Sequence, residues 1–227
     1  LLLNQAQQTV VQTIGDSFAS QAHTALDTLL ERIEDAINQI ALLTVNPTLE
    51  QLVVLRPTNA MSAHGLEQNM SPEEMESVME ETRNLAANNR TQAFLEDLVA
   101  QFPIFSEIIA VNTDGWTLAA SSRPERFVHK DAEWFQAAFQ QEIYISPVQY
   151  LPSLDAVGLV ISAPIVRITT GQPIGAIRAL VELSTISEAL APAMAKIQGG
   201  ELQLLSSGRP VATIIAGEEG PAVTLHT

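Results

Sequence analysis

Few side chains in this sequence are of the types that usually carry out catalysis or bind metals. Histidine occurs four times, as His23, His64, His129 and His226. None of the four lies in a zinc-ligand motif or a catalytic-triad motif. His129, Asp131 and Glu133 alternate closely, which is more typical of a polar loop entering a helix than of a catalytic cluster.

Other catalytic motifs are also missing. Cysteine is absent, which excludes disulfides, thiolate metal sites, cysteine nucleophiles and attachment of a flavin to cysteine. There is no phosphate-cradling glycine loop and no Gly-x-Ser-x-Gly motif. We therefore predict that the chain is not an enzyme and holds neither a metal nor a cofactor. A kinase or cyclase output domain beyond Thr227 is compatible with this prediction.

Aromatic and hydroxyl side chains between positions 134 and 150 are better suited to binding a small molecule. Trp134 and Phe135 fall on a short predicted helix, where large aromatic faces either cover a cavity over a sheet or fill the core. Tyr144, Ser146 and Tyr150 alternate along a predicted strand, so they share one face. Their hydroxyls on that face either meet a ligand or are solvated.

Charged side chains in the same region add to this candidate site. Asp155 lies in a predicted turn, where its carboxylate either reaches a bound amine or stabilises the turn. Arg126, with Arg123 and Lys130, lies in a predicted loop, and Arg178 lies in a predicted strand. Because arginine forks suit carboxylates, these cations favour an organic anion as ligand.

The first half of the chain is predicted to be helical. Apolar residues recur every three or four positions from Val10 to Leu43, which predicts a long amphipathic helix that ends before Pro47. Residues 46–70 are predicted to form a loop with a short apolar turn, because prolines punctuate them. Ser71-Pro72-Glu73-Glu74 is a helix-start signature, and it predicts a second long helix to about residue 101, with Asn88-Asn89 as a candidate interruption.

Short β-branched runs dominate from Pro103 onward. Five strands are predicted, at residues 107–112, 116–121, 142–150, 158–167 and 174–183. Asp114-Gly115 and Gly171-Gln172-Pro173 are turn signals between neighbouring strands. A helix over 131–140, capped by Asp131, is predicted between strands two and three. An exit helix at 184–197 precedes three further predicted strands, at 201–206, 211–215 and 222–227.

Composition limits the partners of this chain. Of its 227 residues, 46% are hydrophobic, which suffices for a sizeable folded core. The formal charge of -15 repels nucleic acids and anionic membrane surfaces. No apolar run reaches the ~18 residues that a membrane-spanning helix needs. The chain starts without methionine and stops in a predicted strand, so we expect it to be part of a larger protein.

Five segments in order resemble the Cache family of sensor domains. They are the segments at 108–121, 131–135, 144–147, 161–165 and 173–177. The resemblance covers roughly residues 5–205. It implies an α+β fold in which a long N-terminal helix precedes a PAS-like antiparallel sheet flanked by helices, with a small second β domain. The implied domains are residues 1–45, residues 46–190 with a helical insertion at 71–101, and residues 191–227.

The resemblance also implies a function. Cache domains are extracytoplasmic, periplasmic or cell-surface, small-molecule sensors of transmembrane receptors of the histidine kinase, chemoreceptor or cyclase type, and they pair as homodimers through the N-terminal helix. The amine-binding branch of the family carries an arginine where this chain has Ala132, a tyrosine where it has Phe135 and an aspartate near Leu180. These departures argue against an amino acid as the ligand.

Two alternatives remain at this point. The competing class is a ligand-free coiled-coil and PAS-like domain for dimerisation or protein interaction. A cytoplasmic PAS sensor with haem or flavin is the third class, and the absorbance of the purified protein discriminates it.

Overall fold

The computed structural model describes residues 20, 23–24, 27–28, 30–55, 70–82, 89–182, 201–206, 209–217 and 220–225. The chain divides into two compact units. One is Asp35–Glu182, and the other combines Leu1–Glu34 with Leu183–Thr227. The three-part division expected from the sequence, with boundaries at 45 and 190, stays a prediction.

Helices make up the first part of the larger unit. They are α1 (residues 35–44), α2 (Pro47–Leu55), α3 (Pro72–Thr82) and α4 (Asn89–Gln101). Every described position from 20 to 34 is helical as well. The long N-terminal helix is therefore confirmed wherever the structure describes it, and residues 1–19 of that prediction lie outside the described residues.

Helix α2 stands where the sequence predicts a loop, and that prediction is wrong. The Oδ1 atom of Asn46 accepts hydrogen bonds from the backbone N–H of Thr48 at 2.8 Å and of Leu49 at 3.4 Å. Pro47 occupies the first helical position, where a missing N–H has no intrahelical partner to lose. The proline interpreted as a helix breaker therefore begins a new helix.

Helix α3 begins at its predicted capping box. The backbone N–H of Ser71 donates to Glu74 at 2.8 Å, and the backbone N–H of Glu74 donates to the Ser71 hydroxyl at 3.2 Å. The predicted long helix from there to residue 101 is two helices, α3 and α4, and α4 begins at Asn89 of the candidate interruption. Residues 83–88, which separate them, lie outside the described residues.

The larger unit is built on an antiparallel sheet. Its strands are β1 (Phe105–Asn112), β2 (Thr117–Ala120), β3 (Tyr144–Ile145), β4 (Gln149–Leu151), β5 (Ala156–Val166) and β6 (Pro173–Glu182). The order is β2-β1-β6-β5-β3, and β4 also pairs with β5. The predicted strand at 142–150 is two short strands, because Pro147 has no N–H for a sheet hydrogen bond.

Both predicted glycine turns are confirmed. Gly115 has φ 81° and Gly171 has φ 70°, a conformation that side chains rarely tolerate. At the first turn, Asn112 Oδ1 accepts the backbone N–H of Asp114 at 3.0 Å and of Trp116 at 2.8 Å. A Cβ at Gly115 would lie 2.5 Å from the backbone nitrogen of Lys130, so this glycine also permits the close approach of a later loop.

A short helix lies on one face of the sheet and helix α2 lies on the other. Helix α5 (Glu133–Ala138) packs on β3, β5 and β6. Side chains alternate along a strand, so Ala176, which belongs to the cluster under α5, and its neighbour Gly175 face opposite sides. A Cβ on Gly175 would meet Val53 at 3.2 Å, which places α2 on the face opposite α5.

The predicted start of α5 is wrong in one respect. Ala132, and not Asp131, is the N-cap residue, and no side chain caps this helix. The Asp131 carboxylate instead forms an ion pair with the Arg126 guanidinium at 2.8 Å.

The smaller unit contains a three-stranded antiparallel sheet. Its strands are β7 (Glu201–Ser206), β8 (Arg209–Gly217) and β9 (Gly220–Leu225), in the order β7-β8-β9. The three predicted strands of the small β domain are confirmed with slightly shifted ends. The predicted exit helix at 184–197 lies outside the described residues.

Candidate functional site

A row of cross-strand neighbours crosses the sheet beneath α5. In the pairing of the strands, Ala120 lies opposite Ile109, Ile109 opposite Arg178, Arg178 opposite Ser162, and Ser162 opposite Tyr144. Directly paired residues share a face, so the whole row faces α5. Arg178 stands on the central strand β6 and so occupies the middle of this row.

Arg178 forms a buried ion pair with Glu107 of β1. Its guanidinium donates to Glu107 Oε1, and the side chains are 12% and 3% exposed. The Ser122 hydroxyl donates to the other carboxylate oxygen at 3.4 Å. Burial raises the pKa of the Glu107 carboxyl, and the Arg178 charge beside it opposes that rise. The site therefore contains a cation and an anion that are almost completely shielded from water.

Trp134 brings the helix α5 onto this pair. The guanidinium carbon of Arg178 lies 5.4 Å from the centroid of the Trp134 ring, within the range of a cation–π contact. The Ser162 hydroxyl donates to the backbone carbonyl of Trp134 at 2.9 Å. The helix that carries the indole is thereby attached to strand β5.

His129 completes the cluster from the loop before α5. Its ring lies 5.1 Å from the Trp134 ring and the residue is 3% exposed. Burial, followed by the charges of Arg178 and Arg126, lowers the pKa of His129 to about 3, so the imidazole is neutral at physiological pH. We call Glu107, His129, Trp134, Ser162 and Arg178 the polar cluster.

Two buried polar atoms of this cluster have no hydrogen-bond partner among the described residues. They are His129 Nε2 and Arg178 Nε. Unpaired buried polar atoms are rare in native proteins, because each loses its hydration without compensation. Their presence in one cluster indicates a place where a ligand or water supplies the missing partners.

Apolar side chains surround the polar cluster. Phe135 lies 5.9 Å from Trp134 and 5.0 Å from Phe139, measured between ring centroids, and both contacts are edge-on. Phe135 belongs to the apolar cluster under α5 together with Leu151 and Val160. Trp134 thus lies beside the polar groups, whereas Phe135 packs among apolar ones.

The remaining predicted ligand residues have partners within the chain. Tyr144 donates to Glu133 at 3.1 Å, and Tyr150 donates to Asp155 at 2.5 Å. Ser146 accepts the backbone N–H of Val160 at 2.9 Å and so fastens the segment between β3 and β4 to β5.

The predicted common face of Tyr144, Ser146 and Tyr150 on a single strand is wrong, since the strand is divided. Asp155 has φ 49° and ends a 3-10 turn. The structure therefore brings Trp134, Arg178 and Tyr144 to one face of the sheet, and it places Arg126, Tyr150 and Asp155 at exposed positions.

An open cleft of about 520 Å³ lies beside the polar cluster. Its lining residues are Glu76, Glu80, Arg123, Pro124, Glu125, Arg126, Phe127, Pro152 and Ser153. Leu151 precedes Pro152 and Leu154 follows Ser153, and both leucines pack into the apolar cluster under α5. The Glu125 charge shifts the pKa of both Glu107 and Arg178 upward, so the cleft is within electrostatic reach of the buried pair.

Helix α3 is hydrogen-bonded to the loop that lines this cleft. The Glu76 carboxylate accepts the backbone N–H of Phe127 at 2.7 Å and of Val128 at 2.9 Å. The same two residues pack against Met75 and Met79 of α3. This contact immediately precedes His129 in the chain, so Glu76 fixes the loop that carries the imidazole into the cluster.

Sequence reasoning missed four contributors to this site. Glu107 and Ser162 lie in apolar strands, and Glu76 lies on a surface helix, so their partners are visible only in three dimensions. A buried-strand pattern interrupted by one acidic and one basic residue, Glu107 and Arg178, was the available signal for the pair. His129 was assigned to a polar loop, which does not explain its burial.

Some kinds of site are not found in the described ranges. No group of three or more histidine, aspartate or glutamate side chains there is placed to hold a metal ion. None of the helices described has the length and apolar character needed to cross a bilayer.

The fold of this chain is similar to that of a solved sensor domain with a PAS-like antiparallel sheet. No protein-family model matches the sequence, and no curated protein matches it. Among solved structures, it is similar to the sensor domain of the histidine kinase DctB of V. cholerae, with a TM-score of 0.55 and 12% identity. The alignment covers 79% of this chain and 60% of that one. The chain thus matches less than two thirds of the DctB sensor domain.

Two further solved structures are similar at lower scores. One is the ligand-binding domain of the amino acid chemoreceptor PctC of Pseudomonas aeruginosa PAO1 in complex with GABA, with a TM-score of 0.46, 11% identity, and coverage of 89% of this chain and 93% of that one. The other is the extracellular domain of the putative histidine kinase rpHK1S-Z16, with a TM-score of 0.40, 15% identity, and coverage of 69% and 61%.

Proposed function

We propose that this chain is the extracytoplasmic small-molecule sensor domain of a transmembrane signal-transduction receptor of the histidine kinase, chemoreceptor or cyclase type. The observation that carries the proposal is the polar cluster beneath α5, where a sheet of this fold would otherwise hold a continuous apolar core. Two unpaired buried atoms in that cluster support binding of a ligand there. On this proposal the chain itself performs no catalysis.

Ligand entry is proposed from the cleft beside the cluster. The loop of residues 121–132 forms part of the cleft wall and ends at α5, so movement of this loop would admit a ligand to Trp134 and Arg178. A ligand can shift the receptor only if it binds one arrangement of the loop more tightly than another. Strand β6, which carries Arg178, leads at Glu182 into the following segment of the chain and is the proposed path of the signal.

The receptor is proposed to act as a homodimer through its N-terminal helix. Leu42 and Val45, at the end of this helix, are 65% and 50% exposed. Leu30 of the smaller unit is 49% exposed. Large apolar side chains that remain exposed on a helix are typical of surfaces that pair with another helix.

A thermal-shift screen tests the proposed function. A panel of water-soluble metabolites is screened against the wild-type chain and the Trp134→Ala variant, with Trp116→Phe as a matched aromatic control outside the cluster. We expect at least one compound that raises the melting temperature of the wild type and of the control, and that fails to do so for Trp134→Ala. Trp134→Phe serves as the milder variant in case the alanine variant does not fold.

Two results would overturn the placement. The first is that no compound stabilises the wild type, which favours the ligand-free dimerisation or interaction domain. The second is that stabilisation by a ligand persists unchanged in both Trp134 variants.

A further inference from the structure

The polar cluster is electrically balanced by its own side chains. Arg178 is already neutralised by Glu107, whose side chain is 3% exposed. His129 adds no charge, because its burial and the neighbouring cations keep the imidazole neutral. Among the other arginines predicted to meet an anion, Arg126 is paired with Asp131 at the surface, and Arg123 lies at an exposed position in the cleft outside the cluster. Neither Arg178 nor Arg126 is therefore a free cation that could pair with an acidic ligand.

A charged ligand would be unfavourable at such a site. An anion that binds Arg178 must compete with Glu107, and displacing that carboxylate would leave it buried without a partner. A cation that binds Glu107 would likewise leave the Arg178 guanidinium buried without a partner. Each case requires a charge to remain desolvated and unpaired, which is among the costliest arrangements inside a protein.

The unpaired atoms show which groups the site still needs. Arg178 Nε carries a hydrogen and is a donor without an acceptor. His129 Nε2 is the second buried atom without a partner, and in a neutral imidazole this nitrogen is a donor or an acceptor according to the tautomer. The site therefore lacks one hydrogen-bond acceptor at Arg178 and one hydrogen-bond partner at His129, and it lacks no charge.

We propose that the polar cluster selects an uncharged polar ligand, which accepts a hydrogen bond from Arg178 Nε, forms one with His129 Nε2 and lays its apolar part against the Trp134 ring. This inference rests on the proposed sensor function and narrows its ligand class. Amides, ureas and polyols have the required groups. Organic anions and amines do not suit the site, because each brings a full charge for which the cluster has no free partner, and a zwitterion would find partners only by separating Arg178 from Glu107.

A set of probes with matched size and different charge tests this inference. Lactamide is uncharged, lactate is an anion, 1-amino-2-propanol is a cation and alanine is a zwitterion at neutral pH. Binding is followed through the indole N–H signal of Trp134 in the NMR spectrum of a Trp116→Phe variant, which retains Trp134 as the single tryptophan of the chain. We expect lactamide to shift this signal at millimolar concentration and to bind at least about tenfold more tightly than the three charged probes.

Two variants test whether lactamide binding depends on Arg178 Nε and His129 Nε2. Arg178→Lys keeps the positive charge opposite Glu107 but removes the Nε donor, and His129→Phe keeps a ring beside Trp134 but removes the Nε2 atom. Each is expected to weaken lactamide binding about tenfold, the effect of one lost hydrogen bond in a buried site. Arg167→Lys, in the turn between β5 and β6, is the matched control and leaves binding unchanged.

The outcomes separate this inference from the function on which it rests. Tighter binding of lactate, 1-amino-2-propanol or alanine than of lactamide overturns the uncharged-ligand inference and leaves the sensor function intact. No shift with any of the four probes also overturns it, since the unpaired atoms would then be served by water alone. Failure of the sensor function itself is recognised independently, by the absence of any stabilising compound in the thermal-shift panel.

Discussion

Glu107 and Arg178 are the two residues whose burial is hardest to explain by packing alone. They lie on neighbouring strands of a sheet whose other inward-facing positions are mostly apolar. A charged pair in such a place contributes less to stability than an apolar pair of similar volume, so its retention is better explained by a role in binding.

Breaking the pair on one side is expected to be far more harmful than removing both charges. Glu107→Met leaves Arg178 buried without its partner and should lower the free energy of unfolding by about 3–5 kcal/mol. The double variant Glu107→Met with Arg178→Met should recover most of that loss. Urea denaturation measures both values. A double variant no more stable than the single one would show that the charges themselves support the fold.

His129 provides a second prediction, on pH. Its pKa is lowered from the ordinary 6.5 to about 3 in the folded chain, so the unfolded chain takes up a proton at higher pH than the folded one. The resulting stability is fully present above the unfolded pKa and is lost as pH falls toward about 3. Between about pH 6 and about pH 4, the wild type should lose up to about 1.4 kcal/mol per pH unit more than His129→Phe.

Measurements of urea unfolding at several pH values test this expectation. His23→Gln removes a histidine from an exposed helical position and is the control, which should keep the wild-type pH dependence. An equal pH dependence of the free energy of unfolding in the wild type and in His129→Phe would contradict the burial of a neutral imidazole.

At the scale of elements, short-range sequence signals predicted the helix caps, turns and strands that depend on short-range interactions. The capping box at Ser71, the Asp114-Gly115 turn and the strands β1, β5 and β6 follow from short-range patterns and are confirmed. Helix α2 is not predicted from the sequence, because proline occurs both at the first position of helices and within loops. The polar cluster was missed because its members come from four separate segments, and only their packing brings them together.

The contact between α3 and the loop of residues 121–132 supports the third prediction. Glu76 accepts two backbone N–H groups of that loop, and its loss would leave both without a partner. We expect Glu76→Ala to lower the free energy of unfolding by about 2 kcal/mol and to accelerate amide exchange at Phe127 and Val128. Glu81→Ala, at an exposed position of the same helix, should do neither. Unchanged exchange at Phe127 and Val128 would show that apolar packing alone holds the loop.

At the scale of the molecule, the chain combines an acidic surface with exposed apolar residues at one helix. The formal charge of -15 opposes association with nucleic acids and also opposes non-specific self-association. The proposed pairing of two chains would therefore rely on a defined apolar contact, to which the exposed Leu42 and Val45 at the end of the helix would contribute.

Substitution on this helix tests the proposed dimer. Leu42→Glu introduces a charge at the exposed apolar position and should weaken self-association by about tenfold or more, as measured by sedimentation velocity over a concentration series. Ala93→Glu adds the same charge at an exposed position of α4 and should have no effect. A wild-type chain that sediments as a monomer at every concentration would exclude pairing by this chain alone.

The central claim is that a small molecule binds between the sheet and α5, and hydrogen–deuterium exchange tests it most directly. The wild-type chain is compared with and without a compound that stabilises it in the thermal-shift panel. Binding is expected to slow amide exchange in residues 121–138 and in β6, because the ligand contacts His129, Trp134 and Arg178. Protection confined to β7–β9, or to the helices on the opposite face of the sheet, would contradict the account.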